Sequence, residues 1–271
     1  MSKTIHSFDG KSRAKKSPEG LQHSKTYING FDKLCPEGIP VGNAVLIEGG
    51  PGSGKTILCL TLLKEACKRG KKVLYMSFEE REERLKIHLK NFGANPDEYE
   101  KKGLLYVKRF NALDIARSVE ALLSEAKKEL LIEVQPILIP TEFKPDIVIM
   151  DSLTSISSAF SGDPSRFRIY MEQLFRYLEK HEITSFLIRE VSSPTHIGTN
   201  FVEKAEAVSF LADGIVALYS IYYSHGIRKR GFEVVKMRGA EIDRKIVECN
   251  IEKGKGLVVK NNSLTGNYTL T

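Results

Sequence analysis

The sequence predicts an α/β protein: a mostly parallel central sheet with helices on both faces and an antiparallel extension toward its C-terminal end. Three observations carry that expectation. From Tyr27 onward, short apolar runs alternate with amphipathic stretches. One run leads into Gly49-Gly50-Pro51-Gly52-Ser53-Gly54-Lys55-Thr56, which fits the phosphate-binding pattern G-x-x-x-x-G-K-[ST]. Another, Ile147-Val148-Ile149-Met150, is apolar throughout, as strands covered on both faces are.

Taken in order, residues 44–47 read as a buried strand entering the glycine-rich loop, and 57–69 as the helix leaving it. Residues 73–78 read as a strand. Residues 81–92 read as a helix, with Leu85, Ile87, Leu89 and Phe92 set among charges. Residues 104–107 give another strand, followed by a helix over about 114–128. Between 130 and 144, apolar residues mixed with Pro136 and Pro140 predict an irregular insertion. Strand 147–150, helix 165–181 and strands 183–188 and 215–219 follow. Residues 232–238 and 246–248 form the expected antiparallel extension, turned around 226–231. There is no internal repeat. Residues 26–271 are expected to form a single domain behind a disordered basic tail, residues 1–25.

With 271 residues and 41% hydrophobic content, the chain can bury a substantial core. No apolar run reaches the ~18 residues of a membrane span. The polar, basic N-terminus lacks the apolar segment of a secretory signal. Cys35, Cys59, Cys67 and Cys249 show no C-x-x-C spacing and read as reduced thiols of a cytoplasmic protein. Of the formal charge of +7, residues 1–25 contribute +4, leaving only +3 for the body. A basic tail attracts polyanions weakly and without specificity, so it does not define a nucleic-acid site.

The glycine-rich loop supplies the first chemistry. Glycines let successive backbone N–H groups close on an anion. Lys55 adds a charge at the β- and γ-phosphates, and the Thr56 hydroxyl is suited to Mg²⁺. Gly50, Pro51, Gly52, Ser53, Gly54, Lys55, Thr56 and Ile57 are therefore the expected nucleotide cradle. Asp151 ends an apolar strand and is expected to hold Mg²⁺ through its water shell; as an alternative, it could cap the following helix. Glu79 and Glu80 follow the strand at 73–78. If that strand lies next to the one entering the loop, both carboxylates face the γ-phosphate and can activate water. Acids at 79–83 would also suit a helix N-terminus.

Several segments together resemble KaiC-type members of the RecA superfamily. They are Gly30-Phe31-Asp32-Lys33-Leu34, Gly38-Ile39-Pro40-Val41-Gly42-Asn43, the phosphate loop, Ser77-Phe78-Glu79-Glu80 and Lys236-Met237-Arg238-Gly239. The resemblance covers roughly residues 26–259. It implies a RecA-like core, ATP as the nucleotide, Glu79 and Glu80 as catalytic carboxylates, and a homo-hexameric ring with ATP between subunits. It further implies that Lys236, Met237 and Arg238 reach a neighbour's nucleotide, with Arg244 assisting. A cation there would offset charge on the transferring phosphoryl group. Without that resemblance, Lys236 and Arg238 are simply alternate residues on one strand face.

The clock protein of the family has tandem domains and a phosphorylated Ser-Thr pair. Here the matching position is Ser209-Phe210, with a single hydroxyl, so sequential autophosphorylation is not expected. A regulatory ATPase ring is the leading expectation; protein partners fit it. The alternative is a recombinase-like DNA-binding ATPase using loops 157–168 and 191–206. The first offers Arg166 and Arg168 with Phe160 and Phe167 as a stacking surface. The second mixes His196 and Lys204 with Glu203 and Glu206, which repel phosphate.

Overall fold

The computed structural model describes residues 20–118, 139–140, 142–160, 164–191, 206–223, 226–264 and 268–270. Residues 1–19 of the expected tail, most of the 130–144 insertion and most of loop 191–206 lie outside them. The expected tail boundary at 25 falls within described structure. There β1 (His23–Ser24) pairs antiparallel with β2 (Ile39–Pro40), and His23 bonds the Gly239 carbonyl at 2.8 Å.

The helix α1 (Asn29–Leu34) comes between these two strands, and β3 (Ala44–Gly49) follows them. α2 (Lys55–Cys67), β4 (Val73–Ser77), α3 (Glu82–Asn91), α4 (Pro96–Lys101) and β5 (Leu105–Arg109) come next. Residues 112–118 are helical (α5), as far as the expected helix at 114–128 is described. After them come β6 (Ile147–Asp151), α6 (Leu153–Ala159), α7 (Pro164–Lys180), β7 (Thr184–Glu190) and α8 (Glu206–Leu211). The C-terminal part is all strand: β8 (Gly214–Tyr223), β9 (Arg228–Met237), β10 (Val247–Glu252), β11 (Gly256–Ser263) and β12 (Tyr268–Leu270).

The main sheet runs β11-β10-β9-β8-β3-β7-β6-β4-β5, with β12 also on β8. From β8 to β5 every pairing is parallel, while β9, β10, β11 and β12 join antiparallel. This is the predicted architecture. The parallel block is built from β3, which is buried along its whole length. Strand side chains alternate between faces. Val45 and Ile47 accordingly join a core with α1 to α4, whereas Ala44 and Leu46 join one with α5 to α8. Helices thus cover both faces, which is why β3 and β6 read as unbroken apolar runs.

Several boundaries move. β7 continues two residues past the expected end at 188, to Glu190. The expected turn at 226–231 is shorter, because Arg228 to Gly231 already pair with β8; Gly226 at φ 74° supplies the left-handed turn residue. β4 is next after β3 in the chain but not beside it in space, since β7 and β6 intervene. The neighbouring-strand argument for Glu79 and Glu80 therefore needs correction. What brings them to the loop is the shared carboxyl edge of the parallel strands.

Candidate active site

β3 ends at Gly49, and the chain turns through the loop into α2 with Gly54 at φ 106° as its N-cap. Only glycine adopts that conformation without strain. The helix N-terminus directs its free N–H groups at the loop, the arrangement that favours an anion. Gly52, Gly54, Lys55, Thr56 and Ile57 line a cavity of about 930 Å³. Gly50, Pro51 and Ser53 complete the loop, and the buried Ser53 hydroxyl has no hydrogen-bond partner among the described residues.

Lys55 is buried, and its ammonium donates to the Gly49 and Gly50 carbonyls at 2.8 and 2.9 Å. Glu190 stands 3.6 Å from it. Burial pushes the Lys55 pKa down, and the charges of Glu190, Asp151 and Glu79 oppose that shift.

Asp151 faces the loop rather than α6, so the capping alternative does not hold. Its carboxylate accepts from Thr56 Oγ1 at 3.0 Å and from the Tyr75 hydroxyl at 2.7 Å. The N-cap of α6 is Ser152, with no side-chain cap bond. Burial raises the Asp151 pKa; the bonds from Tyr75 and Thr56 lower it, and the charges of Glu79 and Glu80 add to the rise.

Glu79 and Glu80 precede α3, whose first-turn acids are Glu82 and Glu83. Both glutamates line the cavity. Glu79 Oε1 accepts from Ser152 Oγ at 2.6 Å and from Ser155 Oγ at 2.8 Å. Glu80 is bound at its backbone by Ser77 Oγ and at its carboxylate by Arg84, 3.0 Å away, with His88 at 3.7 Å.

The structure brings together Lys55, Thr56, Asp151, Glu79 and Glu80. It does not bring Lys236, Met237, Arg238 or Arg244 to the same cavity. Lys236 donates to the Ala212 carbonyl at 2.6 Å, and Arg238 to that of Phe210 at 3.1 Å, both at the carbonyl end of α8. Met237 turns its side chain into the core, and Arg244 is exposed. Ser209 bonds Glu48 at 3.4 Å. In the alternative DNA loop at 157–168, Phe160 is buried and packs on Phe167 at 5.8 Å between centroids. Those rings are core, and Arg166 and Arg168 belong to the first turns of α7.

Glu190, Tyr75, Ser152 and Ser155 escaped the sequence reading. Glu190 was findable: an acid at the carboxyl end of an apolar strand is the signal that had identified Asp151. The serines carried no signal, because only the pairing of β6 beside β4, with Asp151 opposite Ser77, brings the start of α6 to Glu79.

A parallel sheet with a glycine-rich loop at its carboxyl edge, opposed by a strand-end aspartate, defines a P-loop nucleotide-binding protein. The family model described as "ATPase: KaiC" matches residues 24–263. The chain belongs to this KaiC family of ATPases.

Among similar proteins is the circadian clock oscillator protein KaiC of Picosynechococcus, 28% identical over 233 residues covering 86% of this chain. The chain spans only 42% of that relative's length. A UPF0273 protein of Thermotoga maritima is 29% identical, over 81% of this chain and 88% of its own. The crystal structure of a KaiC-like protein from Pyrococcus horikoshii superimposes with a TM-score of 0.69 at 23% identity, covering 89% of this chain and 99% of that one. That likeness bears on the fold.

Proposed function

We propose that this chain is a Mg²⁺-dependent ATPase acting as a regulatory switch in a homo-oligomeric ring, with its nucleotide sites completed between subunits. The observation that carries the hydrolytic part is the convergence, in one cavity, of Lys55, the Thr56–Asp151 pair and Glu79. Phosphate oxygens lie against the loop's N–H groups, and Lys55 gives them an ammonium partner.

The residues fit Mg²⁺. Thr56 Oγ1 and an Asp151 oxygen, 3.0 Å apart, are hard donors from two elements. Mg²⁺ keeps several waters and shares phosphate oxygens, so two protein groups suffice. When bound, it would neutralise charge on the β- and γ-phosphates. In support, the lining sets Glu79, Glu80, Asp151 and Glu190 against Lys55, Arg230 and Lys253, so the acids exceed the cations before a polyanionic ligand is added.

Glu79 is the water-activating base: two serine hydroxyls fix the carboxylate, and it takes the proton of the attacking water. Glu80, held by Arg84, supports the same edge. Lys236 and Arg238 serve the neighbouring subunit's triphosphate, stabilising charge as the terminal phosphoryl group leaves. Residues 26–271 act as one ATPase domain.

Lys55→Ala is expected to abolish nucleotide binding in a titration with labelled ATP. Glu79→Gln combined with Glu80→Gln should retain binding and lose turnover by ~10²-fold or more. Unchanged phosphate release from the double variant would overturn the assigned base.

A further inference from the structure

Lys64 lies outside the phosphate site, yet it is only 4% exposed. Lysine is almost never so buried without partners. Its ammonium donates to the Phe92 carbonyl at 3.2 Å and to the Lys255 carbonyl at 2.5 Å, with Glu65 3.5 Å away. Phe92 closes α3, and Lys255 sits in the turn between β10 and β11. One lysine on α2 therefore ties two segments far apart in the chain.

Those segments are two walls of the nucleotide cavity. Asn91 and Phe92 of one segment and Ile251 and Lys253 of the other line it. The walls also touch directly. The Gly254 N–H donates to the Asn91 carbonyl at 3.0 Å. A Cβ built on Gly93 would stand 2.5 Å from the Gly254 carbonyl oxygen, so the backbones meet with no side chain between them. This part of the lining carries an aromatic ring, an amide, an aliphatic side chain and the Lys253 ammonium, whereas Asp151 and Glu190 stand against Thr56 and Lys55 of the loop. If a triphosphate is seated on the loop, these walls are the part of the same cavity left for its nucleoside.

We propose that Lys64 is a positioning residue for nucleoside binding: its ammonium pins α3 to the β10–β11 turn and so holds the non-phosphate walls of the cavity at their spacing. It touches no ligand itself. The assignment rests on the ATP-site reading and adds a determinant of the nucleoside part alone.

The test uses the full chain and two probes, ATP and inorganic tripolyphosphate, each titrated calorimetrically with Mg²⁺. Lys64→Met keeps the length and apolar packing of the side chain but cannot donate. It is expected to weaken ATP about tenfold, as loss of charged hydrogen bonds would, and to leave tripolyphosphate unchanged. Lys64→Arg should retain most of the ATP affinity. Gly93→Ala forces the same walls apart without altering Lys64 and should reproduce the selective loss. If Lys64→Met does not fold, Lys64→Gln takes its place, with the same selective loss expected from the missing charge.

Wild-type affinity for ATP in Lys64→Met and Gly93→Ala would overturn the proposal, as would an equal loss of both probes. A wild-type protein that binds neither probe overturns the ATP-site reading along with it. Wild-type binding with unaltered variants overturns the Lys64 assignment alone.

Discussion

At the scale of single residues, Asp151 shows how a motif's chemistry depends on its surroundings. Its identity and its place at a strand end were legible in the sequence. Its partner Tyr75 was not, because a tyrosine within a strand reads only as core. Burial, with Glu79 and Glu80 nearby, raises the Asp151 pKa, against the lowering by Tyr75 and Thr56. The folded protein therefore binds this proton more tightly than the unfolded chain. Its stability contribution falls as pH rises from the ordinary aspartate value, ~3.9, through the raised one. The proposed Mg²⁺-supported binding would need the charged form, so its acid limb should lie above the ordinary aspartate range. Glu79→Gln removes a like charge and is expected to move that limb to lower pH; Asp151→Asn should lose the Mg²⁺-dependent component. ATP affinity against pH, with and without Mg²⁺, checks both. A limb unmoved by Glu79→Gln would remove the like-charge cause.

At the scale of elements, apolar period and length made β3, β4, β6 and α2 readable, since each buries what its pattern announces. Order across the sheet was not readable. The insertion of β6 and β7 between β3 and β4 is set by how the crossovers pack, and no local pattern records it. Two contacts hold these elements in place. The first is Glu48 on β3 against Arg189 on β7, 3.0 Å apart and buried on neighbouring strands. Arg189→Met removes the cation paired with the buried Glu48 and is expected to cost about 3–5 kcal/mol. Urea unfolding measures that loss, and a change under 1 kcal/mol, ~0.2–1 being typical of exposed pairs, would mark the pair as solvated. The second is the seat of α1 on β11, where a Cβ on Gly30 would lie 2.2 Å from the Val259 carbonyl oxygen. Backbone cannot yield as a side chain can. Gly30→Ala should therefore destabilise by about 1–3 kcal/mol, read as a lowered thermal midpoint. An unaltered midpoint would show that α1 shifts freely.

At the scale of the whole molecule, the motif residues divide between opposite ends of the sheet. The phosphate loop leaves β3 at Gly49, whereas the Arg238 N–H donates to the Asp213 carbonyl and the Asp213 N–H donates to the Ala44 carbonyl, at the other end of β3. Those positions are five residues apart along the strand, about 16 Å at ~3.3 Å per residue. Two strand spacings, from β3 through β8 to β9, add ~9 Å sideways. A side chain at Arg238 does not span that gap to its own loop. Either it takes no part in hydrolysis, or it acts on a second copy. Mixing distinguishes the two. Lys55→Ala is expected to be inactive for want of a phosphate site, and Arg238→Ala for want of a cation at its neighbour's site. Combined in equal amounts, they should regain part of the wild-type rate, because some interfaces then pair an intact loop with an intact arginine. Light scattering with ATP should show assemblies larger than one chain in the active mixture. Full activity of Arg238→Ala alone, or turnover by a monomer, would return Lys236 and Arg238 to the plainer role of tying β9 to the carbonyl end of α8.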